Sequence, residues 1–160
     1  MMKRRTKILL AVLAVLVLIQ LIQPAHNESS QQLPTDISSL YVVPDSVQHV
    51  LRGACYDCHS NNTAYPWYAN VQPVGWLLAN HIKNGKAELN FSDFGSYPLR
   101  KQRNKLQGII NSIKDDEMPL ASYKLIYPSA RLSAADKALI MDWATKAKDS
   151  LSTNKLTTNK

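Results

Sequence analysis

The sequence predicts an all-α protein. Three observations lead there. Apolar residues recur at three- and four-residue spacing in several separate windows, helix-starting residues precede those windows, and no segment alternates apolar and polar residues over the length of a strand. The chain has 160 residues, which suits one domain. It divides into an apolar N-terminal segment (1–26), a polar flexible tether (27–41), a folded domain (42–149) and a polar, disordered tail (150–160).

The N-terminal segment carries ILLAVLAVLVLIQLI at residues 8–22, with Gln20 its only polar residue, directly after Lys3, Arg4, Arg5 and Lys7. The run falls short of the ~20 residues that cross a bilayer directly, but flanking Lys side chains snorkel and extend it. No A-x-A cleavage site follows, so the segment is expected to be an uncleaved signal anchor rather than a cleaved signal peptide. No Lys or Arg occurs between Lys7 and Arg52, so the N-terminus is expected inside and the domain outside. The same cluster explains the charge. The chain has 19 Lys or Arg and 12 Asp or Glu, a net +7, and setting aside the four N-terminal cations leaves 15 against 12, or +3. A nucleic-acid partner is therefore not expected.

Within the domain, Pro44 and Asp45 open a helix with Val47, Val50, Leu51 and Ala54 on one stripe. Residues 60–72 are turn-rich. Pro73 starts a second helix, expected to end at Gly85, and Leu99, Leu106, Ile109, Ile110 and Ile113 mark a third. Ser133-x-x-Asp136 caps a fourth, with Leu139, Ile140, Trp143, Ala144 and Ala147 along it.

The chain's two cysteines stand together as Cys55-Tyr56-Asp57-Cys58-His59, the C-x-x-C-H spacing of covalent c-type haem attachment. On a helical turn the i, i+3 and i+4 positions share a face. Two thiols there form thioethers to one haem edge while the imidazole takes the iron from below. A thioredoxin-like redox pair wants a βαβ setting that is absent, and a zinc site wants a fourth ligand from His26, His49 or His81. The expected cofactor is one covalently held haem c, with Cys55, Cys58 and His59 binding it and His59 on the iron.

For the other iron face the candidates are Met118, Met141, His49 and His81. Met118, in Asp115-Asp116-Glu117-Met118-Pro119-Leu120, is the expected ligand, because Pro119 stiffens an extended loop that presents a soft thioether. His81 is the rival, and Met141 falls in a helical stripe that suits packing. Arg52, Lys83 and Arg131 are candidate propionate partners, and the run Arg100 to Lys105 a candidate docking face for an acidic partner.

These residues resemble a known family, the small haem-binding domain proteins of bacterial envelopes, which are similar in style to cytochrome c. The resemblance rests on Cys55-Tyr56-Asp57-Cys58-His59-Ser60-Asn61, Tyr65-Pro66-Trp67-Tyr68, Pro73-Val74-Gly75-Trp76-Leu77, Leu89-Asn90-Phe91-Ser92-Asp93-Phe94, Glu117-Met118-Pro119, and Tyr127 through Ser133 to Trp143. Phe94 stands where the family usually has Trp. The resemblance implies a small helical domain with long loops around one haem, with Cys55 and Cys58 as attachment sites and His59 as proximal ligand. The function expected is electron transfer by a membrane-tethered monohaem cytochrome, meeting redox partner proteins in the envelope. The domain would lie in the periplasm, single-pass at the inner membrane, or free there if the signal is cut. A haem-based sensing module with an exchangeable sixth site, or a peroxidase-like haem protein, is the alternative.

Overall fold

The computed structural model describes residues 3–29 and 31–157, and among these there is no strand. Eight α-helices carry the fold: α1 (Arg4–Leu18), α2 (Ile37–Leu40), α3 (Asp45–Ala54), α4 (Tyr56–His59), α5 (Val74–Glu88), α6 (Leu99–Lys114), α7 (Ala121–Ile126) and α8 (Ala134–Thr157). Short 3-10 turns at Ile19–Leu21, Trp67–Asn70, Phe91–Ser96 and Pro128–Ala130 join them. The all-α expectation holds.

The core forms where α6 and α8 pack along each other and α3 crosses onto α8. Leu106 and Ile113 of α6 meet Ile140, Trp143 and Ala144 of α8, with Val47 and Leu51 of α3 completing the layer. These are the helical stripes of the sequence turned inward, and each large side chain removed from water contributes roughly 1.5–3 kcal/mol. Phe91 and Phe94, on a 3-10 turn, are fully buried beside them. The one polar side chain α6 buries, Gln102, accepts from Tyr41 Oη at 2.8 Å and donates to the Tyr97 carbonyl at 2.7 Å, so it leaves no unpaired group. At the start of α8 the expected capping box is present. The Ser133 amide donates to Asp136 Oδ2 at 2.9 Å, and the Asp136 amide donates to Ser133 Oγ at 3.1 Å.

Three sequence expectations change. The helix expected to stop at Gly85 continues to Glu88. The segment expected as a flexible tether is packed on the domain: Ile37 is 0% exposed, Gly95 donates its amide to the Thr35 carbonyl at 2.8 Å, and Asn27 donates to the Ser60 carbonyl at 2.9 Å. Its polar composition suggests solvation, yet its Asn, Thr and Asp side chains are spent on backbone partners, and Ile37 supplies the apolar contact. The tail is helical as far as Thr157, with Leu151 packed against the core one stripe position beyond Ala147; residues 158–160 lie outside the described residues. The N-terminal segment forms the helix α1, which has no buried residue. No helix among the described residues is long and apolar enough to cross a membrane.

Candidate functional site

The site is built on the junction of α3, α4 and α5. Leu51 and Ala54 fix the end of α3 in the core, and Cys55 breaks the helix at φ −127°, so the chain restarts as the single turn α4. The Cys58 and His59 amides return to the Cys55 carbonyl at 3.2 and 3.0 Å, which places both sulfurs and the imidazole on one turn. α5 lies against that turn at Gly85. A Cβ there would stand 2.6 Å from the Cys58 carbonyl oxygen, so only glycine permits the approach. What the sequence suggested as a helix stop is therefore a close-packing position.

The close approach determines the state of His59. Its Nδ1 faces the carbonyl oxygens of Gly85 at 2.9 Å and Leu89 at 3.1 Å. Carbonyls only accept, so Nδ1 carries the proton and Nε2 keeps its lone pair. Burial holds the imidazole pKa below its ordinary value, against the smaller opposing effect of those two carbonyls, so the ring stays neutral and able to bind a metal. Phe91 meets the ring edge-on at 6.4 Å and itself stacks on Tyr56 at 5.1 Å.

The two thiols are free. Burial, and then the neighbouring Cys58, pushes Cys55 up to about 12; burial, and then Asp57, pushes Cys58 up to about 11. A catalytic redox pair needs the opposite shift, toward thiolate near neutral pH. Among the described residues no group of three or more His, Cys, Asp or Glu is placed to hold a metal ion.

Cys55, Cys58 and His59 line a cavity of about 510 Å³, within the ~300–1,000 Å³ range of small-molecule and cofactor sites. Leu51, Phe91, Ile109 and Ile113 make its walls largely apolar, Met118 and Pro119 enter from the α6–α7 loop, and Tyr123 enters from α7. That loop is aimed by the way α6 ends. Asp116 takes the left-handed conformation (φ 59°), its amide returns to the Ile113 carbonyl at 3.3 Å, and that of Glu117 returns to the Ser112 carbonyl at 2.9 Å. This is a Schellman termination with Asp in the position glycine usually holds. The Met118 amide also meets the Ser112 carbonyl, at 3.2 Å, which folds the loop back over the cavity.

Asp57, between the two cysteines, ties the walls together. Its Oδ2 accepts from Tyr123 Oη at 2.7 Å, its Oδ1 from the Ala64 amide at 3.0 Å, and its carbonyl from Thr63 Oγ1 at 2.6 Å. Burial, and then the Asp57 carboxylate, drives the Tyr123 pKa far above its usual value, so the phenol remains a donor.

The expected residues thus fall into three groups. Cys55, Cys58, His59 and Met118 share the cavity, and so does His81 of α5. His49 is exposed on α3, and Met141 packs against the core. Of the expected propionate partners, Arg52 lies over the Tyr56 ring at 5.6 Å, Lys83 is exposed, and Arg131 lines a second cleft of about 300 Å³ beside Met118. Lys105, the last residue of a run expected to form a solvated helix face or to dock an acidic partner, lines the main cavity 2.5 Å from Glu88. Its contact with Glu88 joins α6 to α5 and leaves no local signal.

The family model for a haem-binding domain matches residues 14–146. The chain belongs to the haem-binding domain family. Its cavity suits that cofactor on its own terms: a neutral imidazole whose Nδ1 proton is engaged, two half-buried free thiols on the same turn, and largely apolar walls. The match also begins inside α1, so the N-terminal segment is partly within the family's haem-binding domain and not wholly outside it. No curated protein and no solved structure matches the chain.

Proposed function

We propose that this haem-binding domain is a monohaem c-type cytochrome, held at the membrane of a bacterial envelope, that passes electrons between redox partner proteins. The observation that carries the reading is the His59 clamp: Gly85 and Leu89 fix the tautomer that leaves Nε2 for iron, on the same turn as both thiols. When bound, the haem iron supplies a one-electron couple. Cys55 and Cys58 would hold the haem edge by thioethers and His59 would hold the iron. The apolar walls keep water out and favour little rearrangement between oxidation states.

Met118 is the proposed sixth ligand in preference to His81. His81 sits on α5, the helix whose carbonyl clamps His59, which makes α5 the proximal wall. A ligand for the opposite face comes from another element, and Met118 enters on the α6–α7 loop. Membrane attachment through residues 1–26 is supported by the composition of this segment. Residues 8–22 are apolar but for Gln20 and follow Lys3, Arg4, Arg5 and Lys7, whose long side chains snorkel toward the headgroups.

The test is the optical spectrum of full-length protein produced with haem-maturation machinery. Methionine-ligated ferric haem gives a weak far-red charge-transfer band, expected in the wild type and absent in Met118→Ala. Persistence of the band in that variant would refute Met118 as ligand. Rapid carbon monoxide binding by the reduced wild type would overturn the carrier reading in favour of a sensing module.

A further inference from the structure

The N-terminal helix is locked to the domain. Gln72 donates its amide to Gln20 Oε1 at 2.8 Å and accepts from Gln20 Nε2 at its carbonyl at 3.2 Å. Gln72 Nε2 donates to Gln23 Oε1 at 2.9 Å, Gln23 Nε2 donates to the Asn70 carbonyl at 3.1 Å, and the Trp76 indole donates to the Ile22 carbonyl at 2.8 Å. Gln72 itself is buried. These bonds cross some fifty residues of sequence and join the end of an apolar helix to one edge of the haem-binding domain.

That edge is unlike the rest of the surface. No Asp, Glu, Lys or Arg occurs from residue 58 to residue 82. Trp67 is 81% exposed and Leu77 57%, with Val71 and Val74 exposed between them and Leu21 and Ile22 exposed where the N-terminal helix meets them. An exposed Trp among aliphatic side chains, without charge and continuous with an apolar helix, is the composition of a membrane interface.

We propose that this face, built on Trp67, Val71, Val74 and Leu77, seats on the lipid surface beside the exit of the N-terminal helix, so that the domain is docked on the bilayer rather than swung from a tether. The proposal rests on the membrane reading given above and deepens it. Its occupant is zwitterionic lipid, because the face offers neither cations for acidic headgroups nor anions for a basic partner. Seating fixes the cavity relative to the membrane. Gly85 at the cavity lies eleven residues along α5 from Val74 at the seat, at most ~16 Å. A fixed short reach suits electron exchange with a partner embedded in the same membrane.

The experiment uses the full, haem-loaded chain in phosphatidylcholine vesicles containing a phospholipid with a photoactivatable diazirine near the headgroup, with adducts mapped by mass spectrometry. Adducts are expected on residues 8–22 and on 66–77, and none on the equally exposed Leu125 and Ile126 of α7. Trp67→Ser with Leu77→Ser, both at exposed positions, should lower the 66–77 adducts several-fold while those on 8–22 persist. Gln20→Ala with Gln23→Ala, which removes every bond of the lock except that of the Trp76 indole, should do the same by releasing it. Adducts on 8–22 alone would overturn the seat and leave the anchor standing. Adducts on neither would overturn both. Protein-to-protein crosslinks at 66–77 in place of lipid adducts would assign the face to a second copy and overturn the proposal.

Discussion

The two walls of the cavity are held in different ways. On the His59 side every reactive atom is fixed by backbone: α4 is a single hydrogen-bonded turn, Gly85 is pressed against Cys58, and two carbonyls define one tautomer. On the Met118 side the ligand candidate hangs from a helix termination, half-buried, with a second cleft of about 300 Å³ directly beside it. One wall is a scaffold set by packing and the other is a loop set by a cap. The proximal wall is therefore expected to tolerate almost no change. On the function proposed above, the Met118 wall is the place where ligation, and with it reduction potential, would be adjustable.

The sharpest way to break this contrast is Gly85→Ala. Its Cβ has no room beside the Cys58 carbonyl, so α5 must move off the cysteine turn and take the His59 clamp with it. The overpacking alone should cost about 1–3 kcal/mol, and a large loss of haem-loaded protein is expected on a haem-stained gel. Normal loading would show that the approach is not needed. Met118→Ala should, in contrast, leave haem loading near wild type while changing the spectrum and lowering the potential. Equal loss of haem in both variants would erase the distinction between the walls.

A third variant tests the bridge between the walls. Tyr123→Phe removes the donor to Asp57 and should destabilise the fold by about 1 kcal/mol in chemical denaturation. It should also raise the exchange rate of the proposed sixth ligand Met118, because α7, which follows its loop, loses its tie to the cysteine turn. The smallest effect concerns the thiols. Cys55 and Cys58, pushed up to about 12 and 11, are almost wholly protonated at pH 8. Alkylation of the folded, haem-free chain should be roughly a hundred-fold slower than that of a free thiol and should accelerate on unfolding. Fast alkylation would mean that the turn is open without its cofactor.

What the sequence made legible follows the same division. Cys55, Cys58 and His59 are recognisable because their geometry depends on spacing within one turn, and the stripes of α3, α6 and α8 because helical periodicity is local. The capping box at Ser133 and Asp136 was likewise readable from four consecutive residues. Gly85 was misread because a glycine late in a helical pattern suggests termination, whereas its real constraint is a carbonyl 27 positions away in sequence. The bond from Tyr123 to Asp57, the place of Lys105 in the cavity and the lock of Gln20 and Gln23 on Gln72 are long-range contacts between residues that look like ordinary surface. The segment 27–41 misled by composition: its polar side chains suggested solvent, and only the folded partner shows them bonded and Ile37 buried.

The central claim is that Cys55 and Cys58 hold one haem covalently, with His59 on its iron. It is tested most directly by unfolding the purified, haem-loaded chain and extracting it with acid acetone. Thioethers predict that the colour stays with the polypeptide at one haem per chain, with Cys55→Ala and Cys58→Ala each leaving a single attachment and a shifted pyridine haemochrome. Haem passing quantitatively into the solvent from the wild-type chain would contradict the claim.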